Sequence, residues 1–260
     1  MSALELHVEE YGAGEPAIVL LHGFAGSARN LRPQARFLAA RHHVVLFDAR
    51  GHARSPAPED GHEYEPEEFV DDVRRVLERT RARSVVLGGI SMGAAIALRY
   101  ALAHQKSLRA LVLSSFPPAG NASSPPWALS FADEIDRRGL ETAGEHFVWG
   151  GPRYDEAAVK WIRQGFLEHR PHALSAVLRQ VIATHPAVTV LEPELATLRL
   201  PTLVIAGERD TPSLGPSKDL ARCIPGARLV VIPGAGHVVN LEKPQSFNEA
   251  LRGFLSQIET

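Results

Sequence analysis

Short apolar runs separated by helix-forming segments recur along most of the chain. Most of these runs are continuous stretches of β-branched residues and leucine, a pattern typical of parallel strands that are buried on both faces. They cover residues 17–21, 43–47, 84–88, 108–114, 202–207 and 228–232. Residues 4–9 instead alternate apolar and polar side chains, which predicts a half-buried strand near a sheet edge.

Amphipathic helical patterns lie between the apolar runs. In residues 66–80, Pro66 suits the first helical position, two glutamates follow at the positive end of the helix dipole, and Phe69, Val73 and Val76 share one face. Similar patterns cover residues 27–40, 92–104, 217–223 and 244–258. Strands that alternate with helices predict an α/β fold with a mostly parallel, doubly wound sheet.

The alternation stops after residue 113 and resumes at residue 202. The segment between opens with a loop rich in Pro and Ser, and helical stretches follow it. All three tryptophans, Trp127, Trp149 and Trp161, lie in this segment. We therefore predict a helical cap over residues 117–187, inserted into a core domain formed by residues 1–116 and 188–260.

Composition and charge limit the classes of partner. With 260 residues, of which 45% are hydrophobic, the chain can bury the core of one large domain. A formal net charge of -2 gives no broad attraction for nucleic acid or anionic lipid, so we expect a small-molecule partner. The start carries acidic residues where a signal peptide would need basic ones, and no apolar run is long enough to span a bilayer. These features predict a soluble, cytoplasmic protein without a membrane partner.

The stretch "GGISMGAA" places one hydroxyl among glycines and alanines, directly between an apolar run and a helical pattern. It contains G-x-S-x-G around Ser91. A serine presented on a strained strand-to-helix turn needs small neighbours, because the backbone packs closely beneath it. Ser91 is therefore the candidate nucleophile.

A serine hydroxyl becomes a good nucleophile when a positioned base removes its proton. Of the 12 histidines, His237 is the best candidate, since it follows the last apolar run in a glycine-containing loop before the final helix. A carboxylate must then fix the tautomer of that histidine. Asp210 follows the preceding apolar run, whereas the alternatives Glu208 and Asp219 lie nearer the strand end and on the next predicted helix.

Two backbone N–H groups are candidate donors to an oxyanion, those of Phe24 in "LLHGFAGS" and of Met92 after the serine. We expect His22 to hold the first of these loops by hydrogen bonds rather than to act in catalysis. His169 and His172 in "HRPH" could suggest a metal site, but no cysteine or carboxylate cluster joins them and a proline interrupts the spacing. We predict no metal.

The motifs "LLHGF", "FDARGHARS", "GISMG", "AGERD" and "GAGHVVNLEKP" follow one another in the order found in capped α/β-hydrolases, and the chain resembles that family over nearly its full length. The order Ser91, Asp210, His237 is that of the family's triad. The resemblance implies hydrolysis of a carboxylic ester or lactone through an acyl-enzyme on Ser91, with no cofactor. Two departures stand out: Ala53 occupies a position that is usually glycine, and the short amino end suggests that one antiparallel edge strand is absent.

Several reactions occur on this scaffold, so alternatives remain open. A haloalkane dehalogenase needs an aspartate nucleophile, which Ser91 argues against. A carbon–carbon bond hydrolase, a thioesterase or a cofactor-free perhydrolase would use the same triad, and a ligand receptor without turnover is an alternative from another class. The aromatic and apolar residues near the sheet edge predict an apolar substrate pocket. The residues proposed for it are Phe116, Phe147, Trp149 and Val238.

Overall fold

The computed structural model describes residues 4–121, 126–151 and 156–258. Its strands form a seven-stranded sheet in the order β1-β3-β2-β4-β5-β6-β7. The first pair, β1 with β3, is antiparallel, and all the others are parallel. This confirms the predicted α/β fold with a mostly parallel sheet. The strands are β1 (Val8–Tyr11), β2 (Ala17–Leu21), β3 (Val44–Phe47), β4 (Val85–Ile90), β5 (Ala110–Ser114), β6 (Thr202–Gly207) and β7 (Arg228–Ile232).

One edge of the sheet agrees with the sequence pattern and the other does not. The half-buried edge strand predicted at residues 4–9 is present as β1, although it lies later in the chain, at Val8–Tyr11. An antiparallel edge strand is present, because β1 pairs with β3 from Val8 opposite Phe47 to Tyr11 opposite Val44. At the other edge, the interpretation of β7 as buried on both faces is wrong. Most of its residues are partly exposed, since β6 is its only neighbour in the sheet.

Helices cover both faces of the sheet. Side chains of α1 and α10 pack with one face, and those of α2, α3 and α8 pack with the other. The predicted bounds of α2, α3 and α10 agree with the structure, whereas α8 begins six residues earlier than predicted, with Pro212 in its first turn. The α-helices are α1 (Arg32–Leu38), α2 (Pro66–Thr80), α3 (Met92–His104), α4 (Trp127–Gly144), α5 (Glu156–Phe166), α6 (Pro171–Val177), α7 (Val188–Leu195), α8 (Thr211–Cys223), α9 (Val239–Glu242) and α10 (Pro244–Ile258).

The helices α4 to α7 lie between β5 and β6 in the chain, where the sequence predicts an inserted cap. Gly139 kinks α4 with φ 78°, and π-helical turns follow α4 and α6. Side chains of this segment form a third apolar cluster, separate from the two on the faces of the sheet. Part of the predicted entry loop, residues 122–125, lies outside the described residues, and the division at 117–187 stays a prediction. In the described part of the chain, no helix is long and apolar enough to cross a membrane.

Candidate active site

Ser91 lies at the turn from β4 into α3 and has the unusual backbone angles φ 54° and ψ −116°. Two glycines make this turn possible. A Cβ at Gly89 would lie 2.2 Å from the backbone of Gly93, and a Cβ at Gly93 would lie 2.6 Å from the carbonyl oxygens of Leu21 and His22. The strained turn therefore depends on close backbone contacts, as the sequence predicts.

The hydroxyl of Ser91 is available to a substrate. The backbone N–H of Ser91 donates to the carbonyl oxygen of Ser114 at 2.9 Å, which joins the turn to the end of β5. The side chain is half-buried, and among the described residues no hydrogen bond uses its Oγ. Hydrogen bonds of catalytic groups often form only when a substrate is bound.

The structure brings Asp210 and His237 together at the same edge of the sheet. Nδ1 of His237 lies 2.8 Å from Oδ2 of Asp210, and the side chains are 42% and 3% exposed respectively. A carboxylate can only accept, so Nδ1 carries the proton and donates it to Asp210. Nε2 of His237 is then left as a base.

The two alternative acids contact other groups. Glu208 accepts the backbone N–H of Gly234 at 2.8 Å. Asp219 is partly exposed on α8, where it pairs with Arg222 at 3.5 Å. Of the three acids considered, Asp210 is the one hydrogen-bonded to His237.

The loop that carries His237 is fixed on both sides of that residue. The carboxylate of Glu242 accepts the N–H groups of Gly236 and Val238 at 2.7 Å and 3.1 Å. The hydroxyl of Ser115 donates to the carbonyl oxygen of His237 at 2.8 Å. Neither Glu242 nor Ser115 was predicted from the sequence. Glu242 lies five residues after His237, a short spacing that could have indicated a contact within the same loop, whereas nothing in the sequence points to Ser115.

Ser213 also lies beside His237 and was not predicted from the sequence. Its Oγ lies 3.3 Å from Nδ1 of His237, and the residue is fully buried. Since Nδ1 carries its proton toward Asp210, the hydroxyl oxygen of Ser213 is a second acceptor for it. The protonated nitrogen therefore faces two oxygen atoms.

The loop with Phe24 lies directly against the serine turn. A Cβ at Gly23 would be 3.4 Å from the Cβ of Ser91. Within the part of the chain that the structure describes, no hydrogen bond uses the backbone N–H of Phe24 or Met92. Both predicted oxyanion donors are therefore unused by the protein itself.

His22 holds this loop from below, as expected. Its Nε2 accepts the N–H of Ala49 at 2.9 Å, so its Nδ1 carries the proton and donates to the carbonyl oxygen of Gly23 at 2.8 Å. Burial lowers the pKa of His22 to about 4. The residue stays neutral near pH 7 and keeps both bonds.

Two more buried imidazoles adjoin His22. The ring of His52 lies 5.1 Å from that of His22 and 5.3 Å from that of His169. Burial lowers the pKa of His52 and of His169 as well. We call these three residues the buried histidine cluster. The cluster was not predicted from the sequence, because its three residues lie far apart in the chain and come together only in the folded structure.

The proposed pocket residues fall into two groups. Phe116 is fully buried beside His185, and Trp149 is 7% exposed and packs against Gly144. Because both side chains are buried, we interpret Phe116 and Trp149 as packing residues rather than as substrate contacts. Phe147 and Val238 are half-buried, and a role for them in binding stays a prediction. Among the residues described, no group of three or more His, Cys, Asp or Glu side chains is arranged to hold a metal ion.

Comparison with known proteins agrees with this geometry. The model of the alpha/beta hydrolase fold family matches residues 16–165. The provisionally named carbamate hydrolase RutD of Azorhizobium caulinodans is 31% identical over 98% of this chain and 96% of its own. The 2-(acetamidomethylene)succinate hydrolase of Mesorhizobium japonicum is 28% identical over 97% of this chain and 92% of its own.

A solved structure is also similar over almost the whole chain. It is a thermophilic esterase from Thermogutta terrifontis with malate bound, which superimposes with a TM-score of 0.86 at 27% identity. The match covers 99% of this chain and 95% of the esterase chain. The likeness therefore extends beyond the sheet to the segment between β5 and β6.

Proposed function

Since the chain belongs to the α/β-hydrolase fold family, we propose that it is a serine hydrolase that cleaves carboxylic esters or lactones through an acyl-enzyme on Ser91. The observation that carries this proposal is the hydrogen bond between His237 and the buried Asp210. It lies at the sheet edge where Ser91 occupies its strained turn. These three residues supply a nucleophile, a base and an acid that orients the base.

In the first step, Oγ of Ser91 attacks the carbonyl carbon of the substrate while Nε2 of His237 takes the hydroxyl proton. Asp210 stabilises the imidazolium that forms and keeps the ring in its orientation. The carbonyl oxygen becomes an oxyanion. The N–H groups of Phe24 and Met92 donate to it, and Met92 lies at the positive end of α3.

The tetrahedral intermediate then collapses. The bond to the leaving oxygen breaks, His237 gives its proton to that oxygen, and the acyl group remains on Ser91. Water next attacks the acyl carbon while His237 removes a proton from it. The bond between the acyl carbon and Oγ of Ser91 then breaks, His237 returns its proton to Oγ, and the carboxylic acid leaves. In a lactone, the leaving oxygen stays attached to the acyl group, so one product results.

The apolar side chains of the half-buried Phe147 and Val238 favour an apolar acyl group. The structural similarity to the esterase of Thermogutta terrifontis supports the hypothesis of an ester substrate. Other similar proteins carry names for different hydrolytic reactions, so a thioester, carbamate or carbon–carbon substrate is tested beside the ester.

The experiment measures hydrolysis of p-nitrophenyl acetate and butyrate, followed by a panel of lactones, thioesters, carbamates and substrates with a hydrolysable carbon–carbon bond. We expect turnover of the nitrophenyl esters by the wild-type protein and loss of nearly all of it in Ser91→Ala. Ser107→Ala is the matched control, because this exposed serine lies just past the far end of α3, where its hydroxyl donates to the carbonyl oxygen of His104 and accepts from the hydroxyl of Tyr100. No turnover of any ester or lactone, even if another substrate in the panel is cleaved, or full activity in Ser91→Ala, would contradict the proposal.

A further inference from the structure

His169 connects the segment between β5 and β6 to the loop that carries Phe24. It lies in the turn between α5 and α6 and is 5% exposed. Its Nε2 lies 3.1 Å from the carbonyl oxygen of Gly26, and its Nδ1 lies 3.0 Å from that of Phe166. Both ring nitrogens therefore face carbonyl oxygens, one in the turn of His169 itself and one in the loop that carries Phe24, and a neutral ring donates to one of the two.

Gly26 ends the turn on which Phe24 lies. Its N–H donates to the carbonyl oxygen of Gly23 at 3.0 Å, and Ala25 within the turn has a left-handed φ of 53°. A residue with a Cβ adopts this conformation at a cost, so the surroundings must hold it there. A hydrogen bond to the Gly26 carbonyl is one such restraint, and its loss would let the Phe24 N–H move.

An ion pair and an aromatic contact also join these two segments, and each restrains the position of the Phe24 loop less than a buried hydrogen bond would. The ion pair between Arg29 and Glu168 has side chains that are 38% and 31% exposed, so solvent screens it. The ring of Phe24 packs edge-on against Phe131 at 5.9 Å, which tolerates small shifts. The contact between Nε2 of His169 and the Gly26 carbonyl involves a side chain that is only 5% exposed, and a hydrogen bond in this place depends strongly on direction.

We propose that His169 is a positioning residue: by donating from Nε2 to the Gly26 carbonyl, it holds the Phe24 N–H where the oxyanion forms. This inference rests on the proposed function, in which Phe24 is an oxyanion donor. The segment between β5 and β6 thereby helps to build the oxyanion site. Burial lowers the pKa of His169, so the ring is neutral near pH 7 and has one N–H to donate.

Two substitutions separate the two contacts of this imidazole. In His169→Gln, the side-chain amide nitrogen reaches about as far as Nε2 and can still donate to Gly26. In His169→Asn, it reaches only as far as Nδ1 and can donate to Phe166 alone. The control is His172→Asn, because the Nε2 of this more exposed histidine lies 3.3 Å from the carbonyl oxygen of Ala57, in a different loop.

The measurements are kcat and KM for p-nitrophenyl butyrate, and hydrogen exchange of the peptide covering residues 22–31. We expect His169→Asn to lower kcat roughly ten- to a hundredfold, with KM changed by less than about twofold, because the loss is one of transition-state geometry. Its peptide 22–31 should exchange faster. His169→Gln and His172→Asn should keep kcat within about threefold of the wild-type value. Their peptide 22–31 should exchange at the wild-type rate.

Equal kcat values in the Asn and Gln variants would overturn the inference, and so would an effect on KM alone. If the Asn variant does not fold, His169→Met takes its place, because methionine has a similar length and no N–H to donate: a much lower kcat than in His169→Gln supports the inference, and equal kcat values overturn it. A folded Gln variant with a large loss of kcat also overturns it. Exchange does not depend on turnover. If the wild-type protein hydrolyses no substrate, the proposed function fails, and faster exchange in the Asn variant than in the Gln variant still supports the restraint on the loop.

Discussion

Histidines on the two sides of Ser91 in the sheet differ in what burial allows them to do. On one side, His237 follows β7, is 42% exposed and bonds to the carboxylate of Asp210. On the other side, His22 follows β2 and belongs to the buried histidine cluster. Burial lowers the pKa of His22 to about 4, so it cannot accept a proton near pH 7. In the proposed mechanism, the more exposed imidazole beside Asp210 acts as the base, whereas the buried imidazole of His22 stays neutral and holds its loop by hydrogen bonds.

The largest effect should come from the acid beside the exposed histidine. We expect Asp210→Asn to lower kcat by about four orders of magnitude, because the amide can stabilise the wrong tautomer of His237 and cannot offset the imidazolium charge. Circular dichroism should show an intact fold. The measurement is kcat for the best nitrophenyl ester.

Glu208→Gln and Asp219→Asn are the controls for this variant, since these carboxylates contact Gly234 and Arg222 rather than His237. Each should retain most activity. If either control is the inactive variant instead, Asp210 is not the acid of the triad. If all three variants stay active, His237 is not the base.

The second prediction concerns the pH dependence of stability. His22 has a folded pKa of about 4, below its ordinary value of 6.5, so its contribution is complete above about pH 6.5 and is lost as the pH falls toward 4. The unfolded chain binds a proton in that interval that the folded chain does not. As the pH falls through that interval, His22 should lower the free energy of unfolding by up to about 1.4 kcal/mol per pH unit, and the lowered pKa values of His52 and His169 act in the same direction. Urea unfolding at several values between about pH 7 and 5 measures the slope.

Removal of one member of the cluster gives the control for this slope. His169→Gln should make the pH dependence shallower by up to one proton, because burial lowers the pKa of His169 in the same direction. Ser107→Ala, which removes no titratable group from the surface, should leave the slope unchanged. A wild-type stability that does not change over this interval would show that the cluster is protonated in the folded protein.

A smaller effect on kcat is expected from the loss of the hydrogen bonds by which Glu242 holds the loop of His237. Glu242→Ala removes the acceptor for the N–H groups of Gly236 and Val238. We expect kcat to fall by roughly tenfold with little change in KM, because the loop of His237 loses its restraint while the triad side chains remain. Glu249→Ala, in α10, is the control. Unchanged kcat in Glu242→Ala would show that the other contacts fix the loop.

The smallest effect lies beside the buried cluster. Ala53 follows His52 and has a left-handed φ of 43°, at a position where glycine would carry no strain. Ala53→Gly should raise the free energy of unfolding by less than about 1 kcal/mol. Ala57→Gly, in the same loop and without a positive φ, should lower it. A loss of stability in Ala53→Gly would show that the strain is negligible.

Much of the fold is readable from local pattern. The apolar runs predict the strands, and the first turn of α2, with Pro66, marks the start of that helix correctly. Local pattern fails where a helix contains a breaker. The structure forms α7 around Pro193 and extends α8 through Pro216, because Leu195 and Leu220 pack into the core beside the sheet. Tertiary packing there outweighs the weak helix preference of the segment.

The candidate site is predictable to the extent that its residues carry motifs. Ser91, Asp210 and His237 follow strand ends, and the parallel sheet brings such ends to one edge. The contact between His169 and Gly26 spans 143 positions and carries no motif. Contacts of this kind depend on how distant segments pack, so the sequence of one chain does not reveal them.

The most direct test of the central claim is the site of covalent labelling by a fluorophosphonate. We expect one adduct per chain, on the tryptic peptide 84–99, which contains Ser91. Asp210→Asn should slow labelling, because it impairs the base that activates the serine. Ser91→Ala should abolish labelling. An adduct on another peptide, or hydrolysis of esters that persists in Ser91→Ala, would contradict the account.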